Sequence, residues 1–256
     1  MRHTWYILAI SFAIIFLISV FWNFISSLVL PNTTLGLYDK EFFENLLTGA
    51  HNSIIDILII SIILYYFDQR KQRKDTINEI LDELKYLKYY QGDDISYKYF
   101  GRLKKLYDLG QKKFEIPEVQ LNLLEIKNLN INSSNFIGAN FQKTRISECF
   151  FLDNNFEAAQ FIDCKILSKN KKIFEKCILR RANFYNAELK GIDLRSCTIT
   201  GANFDKADLS SADFRNVDCK GVSFKNTNLR NANFKGAKNL TQEMLDKASN
   251  IKYLKR

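Results

Sequence analysis

Apolar residues follow three successive patterns along this chain. From Trp5 to Leu30 no charged residue occurs. As a helix, about 26 residues reach about 39 Å, enough to cross a hydrocarbon core of about 30 Å with tilt. The segment is too long for a signal-peptide core and shows no small-residue cleavage site before Pro31, so it reads as an anchor. A second apolar segment, at about 48–67, contains Asp56, with His51 and Asn52 just upstream. Arg70, Lys71, Arg73 and Lys74 come directly after it, whereas residues 31–47 carry Asp39, Glu41 and Glu44 against Lys40. The positive-inside rule then places both termini in the cytoplasm. Residues 1–67 are therefore expected to form a transmembrane helical hairpin, with spans at about 5–30 and 48–67.

Asp56 is the residue this hairpin does not explain. An unpaired charge near the midplane costs about 2.5–3.5 kcal/mol on insertion scales. Asn52 precedes it by one turn, and Ser19, Asn23 and Ser26 share a stripe on the first span. One expectation is that these polar faces meet. The alternative is that Asp56 rides nearer the outer interface and is hydrated.

The second pattern covers 68–116. Ile77, Ile80, Leu81, Leu84 and Leu87 recur at helical spacing. Gly92 ends that helix, and Asp93 or Asp94 is placed to cap another through Ile95, Phe100, Leu103 and Leu106. An amphipathic helical stalk is expected, packing on the end of the next domain, with oligomerisation or membrane-surface contact as alternatives.

The third pattern has a period of five, which neither helix nor strand alternation explains. Ala182-Asn183-Phe184, Ala187-Glu188-Leu189, Ala202-Asn203-Phe204, Ala207-Asp208-Leu209, Ala212-Asp213-Phe214 and Ala232-Asn233-Phe234 carry it. Upstream, Leu121, Ile126, Ile131, Phe136, Phe141, Ile146, Phe151, Phe156, Phe161 and Ile166 keep another register. The registers disagree across 167–173. Residues twenty apart match in type: Phe184, Phe204, Phe224; Leu189, Leu209, Leu229; Ile126, Ile146, Ile166; Phe136, Phe156.

These motifs resemble the A(N/D)(L/F)xx repeat of the pentapeptide-repeat family. The resemblance implies an all-β solenoid over 117–238, a right-handed quadrilateral β-helix of twenty residues per turn. It also implies a short closing helix near Thr241 within a capping segment and tail, 239–256.

Chemistry is sparse. The only histidines, His3 and His51, lie in the N-terminal segment, which excludes histidine catalysis in the soluble part. Cys149, Cys164, Cys177 and Cys197 fall two before a centre and Cys219 on one, so they read as small buried hydrophobes. No catalytic, cofactor or metal site is expected. The best-known activity of the family is modulation of type II topoisomerases by DNA mimicry, which needs an acidic rod. Residues 119–237 hold 12 acidic against 18 basic residues, which opposes that activity. Lys169, Lys171, Lys172, Lys176, Arg180 and Arg181 form a candidate basic interaction patch beside the register break. The expectation is a non-enzymatic scaffold at a bacterial inner membrane, with its β-helix cytoplasmic and a protein partner. A membrane effector whose hairpin oligomerises is the alternative.

Overall fold

A computed structural model describes residues 2–29, 40–167 and 172–256. The chain divides into two compact units, Met1–Asp75 and Thr76–Arg256.

In the first unit, α1 (Arg2–Val20) and α2 (Trp22–Val29) are separated at Phe21. Their axes bend by 70°, so the first apolar segment is a broken pair rather than one straight rod. Neither proline nor glycine lies at the break. The next helix, α3 (Lys40–Leu87), runs 48 residues, about 72 Å. It continues without a break through the boundary expected near residue 68. The reason is compositional: no proline occurs in it, and Gly49 is its single glycine. Among the described residues one helix is thus long and apolar enough to cross a membrane, or two spans if the bent pair counts as one.

In the second unit, α4 (Ile95–Asp108) buries Ser96, Tyr99, Leu103 and Leu106. Ile80 and Leu84 join them in one core with Phe114, Val119, Leu121 and the repeat phenylalanines. Strands β1 (Glu125–Lys127), β3 (Arg145–Ser147) and β5 (Lys165–Leu167) form one parallel sheet. Strands β2 (Asn130–Asn132), β4 (Phe150–Leu152) and β6 (Phe174–Glu175) form another. Ile126 pairs Ile146 and Ile146 pairs Ile166, a register of twenty. Across the break the offset grows by three, since Phe151 pairs Phe174.

The expected right-handed quadrilateral β-helix, an all-β solenoid, is corrected by this topology. The regular strands lie in two separate three-stranded parallel sheets, neither closed nor curled on itself. The five α-helices among the described residues all lie outside 117–238. Beyond Glu175 pairing is reduced to single parallel bridges, such as Asn183 with Asn203 and Asp208 with Asn228. The physical reason lies in the five-residue period. The second residue past most centres turns to positive φ, at Lys143, Ala158, Asn186, Lys206 and Asn226 among others, which interrupts any longer ladder.

Asparagine and aspartate before each centre support those turns. Asn140 Oδ1 accepts from the Gln142 N–H at 3.0 Å, Asn183 from Tyr185 at 3.1 Å and Asp213 from Arg215 at 3.1 Å. These local bonds explain why short amide and carboxylate side chains recur there. The centres supply the core. Phe141 and Phe161 stack with centroids 4.8 Å apart, Phe161 and Phe184 also at 4.8 Å, and Phe214 and Phe234 at 4.6 Å. At the C-terminal end α5 (Gln242–Asp246) is capped by Thr241, whose hydroxyl accepts from the Met244 N–H at 3.2 Å.

Candidate functional site

The polar positions of the first unit do not all come together. Ser19 Oγ donates to the Ile15 carbonyl at 2.9 Å and lies 3.4 Å from His51 Nε2. His51 Nδ1 sits 2.9 Å from the Leu47 carbonyl of its own helix. Trp22 Nε1 donates to Glu44 at 3.0 Å, and Ser26, buried, donates to the Asn23 carbonyl at 3.2 Å. His51, absent from the stripe that helical spacing defines, is therefore the group that meets Ser19. Spacing assigns His51 and Asn52 to adjacent directions, and only the packing of α1 on α3 distinguishes them. Asn23, Asn52 and Asp56 are exposed. Among the described residues, neither Asn52 nor Asp56 has a side-chain hydrogen bond.

Arg70, Lys71, Arg73 and Lys74 are exposed on α3. The Arg70 guanidinium lies 5.4 Å from the Tyr66 ring centroid, a cation–π distance.

Of the basic patch beside the register break, Lys169 and Lys171 lie outside the described residues. Lys172, Lys176, Arg180 and Arg181 are exposed. Arg180 is bound to Glu157 at 2.8 Å, so part of the patch is neutralised. Glu157 precedes Arg180 by 23 residues, an offset set by the three inserted residues.

A second charged group, outside the basic patch, lies further along the repeat. Arg195 binds Asp193 at 2.7 Å and reaches Asp213 at 3.3 Å, while Arg215 binds Asp213 at 2.7 Å. Burial alone would raise both carboxyls, but the arginine hydrogen bonds and charges hold them below the usual carboxylate range. Its sequence signal is Asp-x-Arg repeated twenty residues on. The group is internally balanced and built along one column of the repeat.

All five cysteines are buried and free. Burial pushes the thiols of Cys164, Cys177 and Cys219 up to about 12 and raises Cys149 and Cys197 as well. Cys164 and Cys197 donate to the Thr144 and Phe174 carbonyls at 2.9 and 2.8 Å. Thiols so protonated are poor nucleophiles. Among the described residues, no group of histidine, cysteine and carboxylate side chains can hold a metal ion.

Two family descriptions match the repeat. Pentapeptide repeats match residues 134–166, and the pentapeptide repeat region matches 168–241. No curated protein matches the chain. Among solved structures, a pentapeptide repeat protein from the Arabidopsis thaliana thylakoid lumen is 19% identical, covering 47% of this chain and 70% of its own, with a TM-score of 0.27. A pentapeptide repeat protein of the cyanobacterium Cyanothece 51142 is 18% identical, covering 53% and 93%, with a TM-score of 0.27. HetL of Nostoc sp. strain PCC 7120, involved in heterocyst differentiation regulation, is 14% identical, covering 60% and 93%, with a TM-score of 0.24. The Ala-Asn/Asp-Leu/Phe motifs thus fall within a part of the chain, residues 134–166 and 168–241, that is similar to pentapeptide repeats.

Proposed function

We propose that this chain is a membrane-anchored scaffold whose repeat region docks a protein partner on the cytoplasmic side of a bacterial inner membrane. The observation that carries the anchor is the uncovered apolar surface of α3. Ile55, Ile59, Ile62 and Leu64 are 53%, 51%, 58% and 61% exposed, and almost none of the apolar window is buried. Each large aliphatic side chain gains about 1.5–3 kcal/mol on full burial. A bilayer supplies that burial along about 20 residues of helix. The basic run Arg70, Lys71, Arg73 and Lys74 then favours the cytoplasmic side for the rest of the chain, the repeat region included. Exposed repeat surfaces act as binding surfaces more often than as catalysts, and residues 117–238 contain no histidine.

Alkaline carbonate extraction of membranes from expressing cells tests the anchor: the chain should stay with the pellet, and release into the supernatant would end the proposal. Affinity capture in mild detergent, with and without residues 117–238, tests the scaffold. A partner retained only by the full chain is expected, and no reproducible partner would sink it.

A second reading, a hairpin that self-associates and perturbs the membrane, is favoured by one observation. Asp56 and Asn52 are exposed on an otherwise apolar helix surface without hydrogen-bond partners among the described residues. A second copy could satisfy them. Depolarisation of cells on induction, abolished by Asp56→Leu, would favour this reading over a passive anchor.

A further inference from the structure

The second unit holds a cavity of about 490 Å³ that none of the features above uses. The end of α3, the chain after it, α4 and residues 111–117 line it, and one side is open to solvent. Leu81, Leu84, Ile116 and Pro117 supply apolar wall. Its volume lies within the range of ordinary small-molecule sites, about 300–1,000 Å³.

Two independent observations indicate what it accepts. First, Tyr99 lines the cavity and is only 6% exposed, yet its hydroxyl makes no hydrogen bond with any described residue. The hydroxyl oxygen itself is open to the cavity, so it can donate to a group bound there. Second, Lys85, Lys88 and Lys113 lie around the wall against a single carboxylate, Glu115. Lys85 is paired with Asp82 at 2.8 Å and Lys88 with Glu118 at 3.4 Å. Among the described residues Lys113 has no ion pair. A lone donor, an unpaired ammonium and an aliphatic wall are complementary to an oxyanion carried on an apolar chain.

We propose that this cavity binds an amphiphilic anion of the long-chain carboxylate type. Its head accepts from the Tyr99 hydroxyl and pairs with Lys113, while its tail packs on Leu81, Leu84 and Ile116. The source of that chemistry is either a free fatty acid or one chain of an anionic phospholipid with its headgroup. The site stands independently of the scaffold reading, because it needs neither a protein partner nor a particular membrane topology.

Photocrosslinking tests it on the full chain in nanodiscs. The probes are a diazirine-bearing palmitate, the corresponding neutral alcohol, and phosphatidylglycerol carrying the same acyl chain. Adducts are mapped by mass spectrometry. The anionic probes should label peptides spanning 81–99 or 111–117, and excess palmitate should compete at those peptides. The neutral alcohol should label them at least fivefold less. Whichever anionic probe labels more strongly identifies the source. Lys113→Gln and Tyr99→Phe should each lower labelling about fivefold, and Leu84→Trp should abolish it by filling the space. Thermal melts identify variants that fail to fold; Lys113→Gln, at an exposed position, keeps the test intact if the buried changes do not. Equal labelling by the alcohol, or labelling unmoved by Lys113→Gln, would overturn the proposal.

Discussion

Phe161 is the most tightly flanked ring of the repeat core, and its removal tests how that core is held. It is 0% exposed and lies parallel to Phe141 on one side and Phe184 on the other, at 4.8 Å and interplanar angles of 3° and 5°. Phe156 and Phe174 meet it edge-on, both at 5.6 Å. Truncation of a buried phenylalanine costs about 3–5 kcal/mol, and the cost rises where the site cannot collapse. Collapse is opposed here, because the neighbouring layers are fixed by backbone bonds. Phe141 N–H donates to the Gln160 carbonyl and Phe161 N–H to the Asn183 carbonyl, both at 2.7 Å. We therefore expect Phe161→Ala to cost about 4–5 kcal/mol, a quarter or more of the stability of an ordinary domain. The assay is urea unfolding of the purified full chain, monitored by far-ultraviolet circular dichroism. Ile137→Ala, at a 36% exposed position on the same repeats, serves as the comparison and should cost under about 1 kcal/mol. A Phe161→Ala loss no larger than that of Ile137→Ala would refute the stacked-core account.

Other outcomes concern the turns, the thiols and the charged column. Leu123 holds φ 59° while 62% exposed, so Leu123→Asn should relieve about 1 kcal/mol of left-handed strain and raise Tm by about 2–4 °C; a lower Tm would contradict the turn assignment. A thiol reagent at pH 8 should modify none of the five buried cysteines in the native chain within minutes and all five in denaturant. Asp193 and Asp213 have folded pKa values below their unfolded ones, so their stabilisation is present above the ordinary carboxylate range near pH 4 and is lost as pH falls through the folded values. The double variant Asp193→Asn, Asp213→Asn should accordingly lose less stability than the parent between pH 5 and 3. An equal acid sensitivity would remove these carboxyls from the account.

Much of the repeat core was readable because each layer buries the same chemical type. Ile126, Ile146 and Ile166 match in sequence and pair in space, and the small cysteines fall where an alanine otherwise sits. The step from repeat to closed β-helix was not readable. It depends on how many consecutive backbone groups pair, and the positive-φ position that follows the centres, inside the two sheets as well as beyond them, limits that number. That position did leave a signal: Gly138, Gly191, Gly201, Gly221 and Gly236 share it with Asn186, Asn216, Asn226 and Asn231. Glycine and asparagine are the residues that enter the left-handed region most readily. The continuity of α3 was also legible, in the absence of proline. The bend at Phe21 had no such marker. The Arg180–Glu157 pair and the cavity beside Tyr99 join segments distant in sequence, so neither periodicity nor motif could have revealed them.

Side-specific labelling of single introduced cysteines tests the membrane-anchored scaffold most directly. The native thiols are buried, so a membrane-impermeant maleimide should read only the added position. Glu41→Cys lies at the start of α3 and Ser249→Cys in the exposed C-terminal segment. In intact bacterial spheroplasts the account predicts labelling of Glu41→Cys alone, with Ser249→Cys labelled only after permeabilisation. Labelling of Ser249→Cys in intact spheroplasts, or protection of both positions until permeabilisation, would contradict it.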